Sequence, residues 1–417
     1  MNIWLIRDLE PIPTDPGDRR LMRAGMLVQA LAARGHNTIW FTSTFDHYQK
    51  RQRGTADQTL KPASNLTIEV LRAPGYRRNI SLARLAHNRA FALRWKQLAE
   101  TRPDRPDVIV TDIPTTDAAD AAIRFAKANG IPSVLSIRDL WPDFFADYMP
   151  GLLRPLARPF LARLDREVRT ASANATSLVG ISEGYLDWGL GKAGRLRGPH
   201  DRIFPLGYDA RPRPTADALA TWRERAGLTG KNIVSFVGSW GATYDLALVL
   251  DAAKFLSVCP DIAFVLAGDA DSRPDLRDAF RALPNVTLAG WLSADDIALL
   301  VGASAIGLLP YKPEAPQGLP NKVFEYLAYG AYQLATLKGE IAGFYQQTAA
   351  GRIVERGQLA DAIVAALAHS ADPLARAERI ALFDRHYSAD AVYGGMVKHI
   401  ESVAALSKHP PDSGRRS

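Results

Sequence analysis

The chain is 417 residues long, beyond the roughly 250–300 at which a single hydrophobic core stops growing, so two domains are expected. Its composition, 47% hydrophobic and 23% charged, excludes the disordered and fibrous classes, and the single cysteine, Cys259, excludes an intramolecular disulfide or a cysteine-rich zinc site and fits a reducing compartment. The net charge of +7 is uneven: about 29 Lys/Arg stand against about 20 Asp/Glu in residues 1–200, and about 22 against 24 in the remainder, which suggests an anionic partner for the first half.

No apolar run approaches the roughly 18–20 residues that would span a bilayer. The opening Met1-Asn-Ile-Trp-Leu-Ile-Arg-Asp8 reads as a first strand and not as a secretory leader, so the expected location is the cytoplasm, with the inner face of the plasma membrane as a peripheral site. Short apolar runs then alternate with helical patterns, the signature of βα units around parallel sheets. Strands are predicted at 2–7, 37–43, 67–72, 107–113, 132–137, 177–182 and 202–206. A helix is predicted over Arg19–Arg34, where Leu21, Ala24, Leu27, Val28 and Leu31 recur at helical spacing. A second series has strands at 233–238, 263–268, 286–290, 305–310, 332–336 and 352–355, with helices at 245–257, 293–302, 320–329 and 357–368. The proline-rich stretch Tyr208–Ala216 suits a linker. The expected organisation is a first domain at 1–209, a second at 210–386, a C-terminal helix at 387–407 crossing the hinge and packing back on the first domain, and a disordered tail at 408–417.

In an open parallel sheet, ligands bind beyond the carboxyl ends of the strands, which directs the search to the loops that follow them. The first loop offers Gly17 before a helix start, where backbone N–H groups and the helix dipole can face a phosphate, with Arg19 and Arg20 adding charge. Asp112, an acceptor candidate, stands at the end of the fourth predicted strand, and after the fifth comes the run Ile137-Arg-Asp-Leu-Trp-Pro142. There Arg138 and Trp141 are candidates for the acceptor and Asp139 for a general base or a partner for positive charge at a sugar carbon. Two stretches, Tyr76–Arg94 and Gly151–Arg169, mix Leu and Phe with arginines such as Arg154, Arg158 and Arg163. They fit helices at an anionic lipid interface, or equally ordinary amphipathic helices facing the core.

In the second half, Gly238, Ser239 and Gly268 follow strands where the backbone can approach a diphosphate. The most informative run is Tyr311–Gly330. Pro320 stands where a helix begins, with Gly318, Leu319 and Asn321 beside it. Lys322 in the first turn opposes the helix dipole unless an anion offsets both, and Glu325, on the same helix face, has a carboxylate able to accept from a ribose diol. Asp269-Ala-Asp271 is the sole Asp-x-Asp in a strand-end turn and is taken as chance, so no metal and no cofactor are expected.

These residues resemble the family-4 retaining glycosyltransferases, whose fold is GT-B: two Rossmann-like βαβ domains facing across a cleft. The resemblance rests on the opening strand and glycine loop, Arg34-Gly-His36, Gly238, Ala267-Gly-Asp269, Asn285–Gly290 and Pro320-Asn-Lys-Val-Phe-Glu-Tyr-Leu-Ala-Tyr-Gly330. Arg138-Asp-Leu-Trp-Pro142 is most similar to bacterial enzymes of O-antigen, capsule and exopolysaccharide assembly. The resemblance implies transfer from a nucleotide-diphosphate sugar, expected to be UDP-linked, to a glycan or polyprenyl-diphosphate-linked acceptor, with the donor on the second domain. Glu325 matches the second glutamate of the family's Glu-x7-Glu motif, at the ribose. The first falls on Gln317, which can hydrogen-bond a hydroxyl but carries no charge. The basic pair that many relatives hold after the strand ending at Gly238 is replaced by Ser239, Trp240 and Thr243, which leaves Lys322 for the diphosphate. Glu340 is a further donor contact. A nucleotide-sugar epimerase on the same architecture and a non-catalytic sugar-nucleotide-binding partner are the alternatives. Nucleic acid is not expected, because the basic residues are scattered among apolar helices without a recognised motif.

Overall fold

The computed structural model describes residues 1–17, 21–143, 154–315, 318–370 and 372–408. The chain forms two compact units, one of Met1–Leu206 with Val392–Ser417 and one of Gly207–Ala391. Both are Rossmann-like α/β domains.

The first unit holds β1 (Asn2–Ile6), β2 (Asn37–Ser43), β3 (Phe45–Asp46), β4 (Arg51–Gln52), β5 (Gln58–Ala63), β6 (Leu66–Leu71), β7 (Val108–Ile113), β8 (Ser133–Ile137), β9 (Ser177–Gly180) and β10 (Arg202–Ile203). Its main sheet has the order β10-β9-β8-β7-β1-β2-β6-β5. Every pairing is parallel except β5 with β6. β5 and the β3–β4 hairpin were not expected: β5 is a polar, exposed edge strand and carries none of the apolar run that marks the inner strands. The first helix starts at Arg23 and not at Arg19.

The second unit holds β11 (Asn232–Val237), β12 (Ile262–Ala267), β13 (Val286–Gly290), β14 (Ile306–Leu309), β15 (Tyr332–Ala335) and β16 (Gly351–Ile353), all parallel, in the order β13-β12-β11-β14-β15-β16. This is the doubly wound order in which the sequence reverses direction between β11 and β14. Period-two alternation divides the strand residues between two cores: Ile233 and Val237 of β11 join the cluster with Val323, Tyr326 and Phe344, while Val234 and Phe236 join Val249, Phe264 and Phe280 on the other face. Four helices, Ala216–Arg225, Pro274–Arg281, Glu340–Thr348 and Pro373–His386, were not anticipated. The last is pinned by Arg376 and Arg379, whose guanidinium groups donate to carbonyls of Gly302, Ser304, Tyr329 and Gly330.

The C-terminal helix Ala389–Ala404 buries Met396, His399, Ile400 and Val403. It packs on the first unit, where His399 Nε2 lies 2.9 Å from Ser177 Oγ and Glu401 takes Arg34 at 2.9 Å and His36 at 2.8 Å.

Candidate functional site

The reversal between β11 and β14 locates the site of the second unit, because the loops leaving these two strands diverge and leave a crevice at their carboxyl ends. Gly238 leaves β11 with φ +153°, and Gly268 leaves β12 with φ +132°, both in a region closed to residues with a side chain. A Cβ on Gly268 would lie 1.9 Å from the Gly238 carbonyl oxygen, and one on Gly238 would lie 2.4 Å from Lys322 Nζ. The two strand ends and Lys322 are therefore in direct succession.

Lys322 belongs to the helix Asn321–Ala328, which follows β14 and starts after Pro320, with no side chain capping it. The helix is held against the sheet by Tyr326. Its hydroxyl accepts from Val237 N at 3.1 Å and donates to Leu308 O at 3.2 Å, and its ring fills the place a side chain on Gly307 would need. That anchor turns Lys322 toward the strand ends. Its Nζ lies 5.8 Å from the Phe236 ring centroid and 5.7 Å from that of Tyr244, within cation–π range, and forms no ion pair among the described residues. Burial drives its pKa below the usual lysine value, with Glu325 opposing that shift in part. A half-buried ammonium at the positive end of a helix is held at an electrostatic cost, part of which Glu325 and the two rings offset and the rest of which an anion would offset.

Glu325, one turn on, accepts from Tyr208 Oη at 2.9 Å, which fixes the carboxylate and leaves it further acceptor positions. Tyr208 lies in the stretch read as a linker. Its backbone is bonded to Tyr387 and Ala389, at 3.0 Å each. Gly318 packs on Glu340, since a Cβ there would meet Glu340 Oε2 at 2.6 Å; Leu319 is half-buried, Pro320 buried and Asn321 exposed. Gln317 lies outside the described residues. Ser239 is exposed, whereas Trp240 is buried on Phe280 and belongs to the core. On the far side of Gly268 a cavity of about 560 Å³ is lined by Trp240, Gly268, Asp269, Arg277, Gly290 and Trp291. Trp291 is 82% exposed, so packing does not explain its presence. Asp271 of the Asp-x-Asp pair binds Arg277 at 2.8 Å and donates its N–H to Asp269.

In the first unit the candidates gather at the carboxyl ends of β1, β7 and β8. Arg138 Nη1 contacts Glu10 Oε1 at 2.6 Å and Asp112 Oδ2 at 2.8 Å, and Arg7 Nε contacts the same two carboxylates at 3.1 and 3.3 Å. Burial acts to raise the Glu10 pKa, but Arg138 and Arg7 outweigh it and hold it at about 2. Glu10 Oε2 also accepts from Ala24 N at 2.7 Å, so the anion at the first helix start is the chain's own. The sequence reading set a phosphate there beside Gly17. Gly17 is exposed and stands six residues before Arg23, where the helix begins, and Arg19 and Arg20 lie outside the described residues. Arg138 and Asp112 are committed to one another. Asp139 takes the Leu140 amide at 2.9 Å, and burial raises its pKa against the pull of that amide, Trp141 and Arg84. Trp141 is buried beneath the Arg84 guanidinium, 4.5 Å from its ring.

Residues 231–370 match the family described as "Glycosyl transferases group 1". Residues 23–184 match the one described as "Glycosyltransferase Family 4". Each unit is thus similar, over the residues matched, to a glycosyltransferase domain. Among curated proteins, the α-D-kanosaminyltransferase of Streptomyces kanamyceticus is 32% identical over 124 residues, which is 28% of this chain and 32% of that protein, so the match spans about a third of the relative. The solved sucrose-phosphate synthase of Thermosynechococcus elongatus superposes with a TM-score of 0.69 at 17% identity, covering 97% of this chain and 99% of that one. Anabaena HepE in complex with UDP gives 0.67 at 16% identity, over 96% and 100%. Fold and family matches together support a GT-B glycosyltransferase.

Tyr208, Trp291 and Tyr244 lie beside these candidates and were not among the residues predicted from sequence. Trp291 carried a legible signal, a large apolar residue directly after a strand's terminal glycine. Tyr208 carried none, because its tie to Glu325 is a tertiary contact.

Proposed function

We propose that the chain transfers a sugar, with retention of configuration, from a UDP-sugar to a glycan or polyprenyl-diphosphate-linked acceptor in bacterial surface-polysaccharide synthesis, at the cytoplasmic face of the membrane. The observation that carries this reading is Lys322, a half-buried cation without an ion pair among the described residues, set over Gly238 at the strand-order reversal. In this reading Lys322 and the backbone at Gly238 and Gly268 hold the diphosphate, Glu325 takes the ribose, and the cavity beside Trp291 takes the base. Gly318 to Asn321 and Glu340 line the sugar. The anomeric carbon–oxygen bond breaks with both electrons passing to the diphosphate, which Lys322 stabilises as charge develops. An acceptor hydroxyl oxygen bonds the same carbon, and its proton goes to a base, for which Asp139 is the candidate. The UDP bound by the HepE relative supports the choice of nucleotide, and the kanosaminyltransferase name supports sugar transfer. Among the described residues no helix is long and apolar enough to cross a membrane, which accords with a peripheral enzyme.

The test is incubation of the purified chain with UDP-sugars, with and without lipid-linked and free glycan acceptors, followed by product analysis. Acceptor-dependent release of UDP with a new glycoside supports transfer. An epimerised nucleotide sugar formed without acceptor refutes it.

A further inference from the structure

The buried cations of the first unit are for the most part neutralised. Arg7 and Arg138 meet Glu10 and Asp112, Arg53 meets Asp15, and Arg102 meets Glu69. Two neighbouring cations, Arg84 and Lys50, form no ion pair among the described residues. Arg84 is 9% exposed; its Nη1 donates to Asn79 O at 3.0 Å, and its Nε has no hydrogen-bond partner among the described residues. Among the described residues the hydrogen-bond partners of Lys50 Nζ are neutral, Asn79 Oδ1 at 2.5 Å and His47 Nδ1 at 3.3 Å. Tyr76 joins the two: Lys50 Nζ lies 4.8 Å and Arg84 Cζ 5.8 Å from its ring, and its hydroxyl is 2.6 Å from His47 Nδ1.

The nearby carboxylates form no ion pair with these two cations among the described residues. Asp8 is bound to His87 at 2.7 Å, and Asp46 accepts the Tyr48 and Gln49 amides at 3.0 Å each. Asp139 and Asp8 act on Arg84, and Asp46 on Lys50, only through space, and burial outweighs them and lowers both cations' pKa. Burial and Arg84 both push the Lys50 pKa down, and burial followed by Lys50 and Arg84 holds His47 near 4. Two cations kept adjacent in this way favour the entry of an anion with several acceptor oxygens.

An apolar surface adjoins the pair. Ile80, on the turn before the helix carrying Arg84, is 69% exposed, and Leu82, the first residue of that helix, is 81% exposed; the nearby Arg77 and Arg78 are exposed as well. An exposed apolar pair set between arginines is complementary to an amphiphile with an anionic head.

We propose that Lys50, Arg84 and Tyr76 form a subsite for the diphosphate head of an amphiphilic ligand whose hydrocarbon chain lies over Ile80 and Leu82. The inference rests on the transferase reading, with this ligand as the acceptor. Calorimetric titration of the full chain with farnesyl diphosphate below its micellar concentration, with inorganic pyrophosphate and with farnesol tests it. Farnesyl diphosphate should bind more tightly than either probe. Lys50→Met and Arg84→Gln should each weaken it about 10-fold, and Ile80→Ser with Leu82→Ser should weaken farnesyl diphosphate while leaving pyrophosphate unchanged. The UDP-induced rise in melting temperature, retained in every variant, serves as the control for folding. Unchanged affinity in the folded Lys50 and Arg84 variants overturns the subsite, as does pyrophosphate binding equal to that of farnesyl diphosphate. Sugar transfer that persists alongside either result leaves the transferase reading standing. Farnesyl diphosphate bound with the expected variant losses, but without turnover of any nucleotide sugar, sinks the transferase reading and supports the subsite.

Discussion

Lys322→Met separates the charge of Lys322 from its bulk. The substitution keeps the unbranched stem against Phe236 and Tyr244 and removes the ammonium that a diphosphate would meet. A charge-assisted contact contributes about 1.5–3 kcal/mol, so Kd for UDP should rise by about 10- to 150-fold. Ligand binding stabilises the native state by RT ln(1 + [L]/Kd), which is about 2.7 kcal/mol at one hundred times Kd. If Kd rises about 100-fold, the same UDP concentration yields only about 0.4 kcal/mol, and most of the melting shift disappears. Without ligand the variant should be at least as stable as the wild type, because a desolvated ammonium has been removed. Differential scanning fluorimetry across a UDP series reads both quantities at once. A full UDP shift in the variant would refute the assignment of Lys322, and a large loss of stability without ligand would mark it as a structural residue.

Further outcomes follow from the same geometry. Gly268→Ala forces a Cβ to within 1.9 Å of the Gly238 carbonyl oxygen at φ +132°. It should cost about 2–4 kcal/mol, checked by urea unfolding, and abolish the UDP response. Trp291→Ala, at an exposed position, should leave the urea midpoint within about 0.5 kcal/mol of wild type yet weaken UDP several-fold by calorimetry; an unchanged Kd removes Trp291 from the base. The Asp8–His87 pair sets a pH window. His87 faces Pro74 O through Nδ1 at 2.5 Å and Asp8 through Nε2 at 2.7 Å, so both ring nitrogens meet acceptors and the imidazolium is favoured. Burial alone would lower its pKa, but Asp8 outweighs this and raises it above the ordinary 6.5. Its stabilisation is therefore complete below about pH 6.5 and lost as pH rises through the higher folded value. Asp8, held below its ordinary 3.8, contributes above that value and loses its contribution as pH falls further. Urea midpoints should fall on the alkaline side in the wild type, and that dependence should flatten in His87→Gln; a slope unchanged by the substitution would reject the pair as its source.

The sequence by itself determined the strand series, because buried parallel strands must be continuous apolar runs, and it singled out Lys322, because a cation in a helix's first turn is a local anomaly. The orientation of the helix Leu82–Thr101 was open to neither argument. Its sequence fits a helix at a lipid interface or, equally, one with an apolar face in the core; the structure exposes Leu82 and Leu93 and buries Arg84, His87 and Asn88, whose burial is supported by Asp8, Pro74 O and the faces of Tyr76 and Trp141. Those partners come from distant segments, so no local pattern signals that a polar face will turn inward. The same holds for Glu10 at the Ala24 amide and Tyr208 on Glu325. Local periodicity reports which residues seek burial or a helix. Which charges meet is decided when sheet order brings separate loops to one strand end, and only the tertiary structure holds that information.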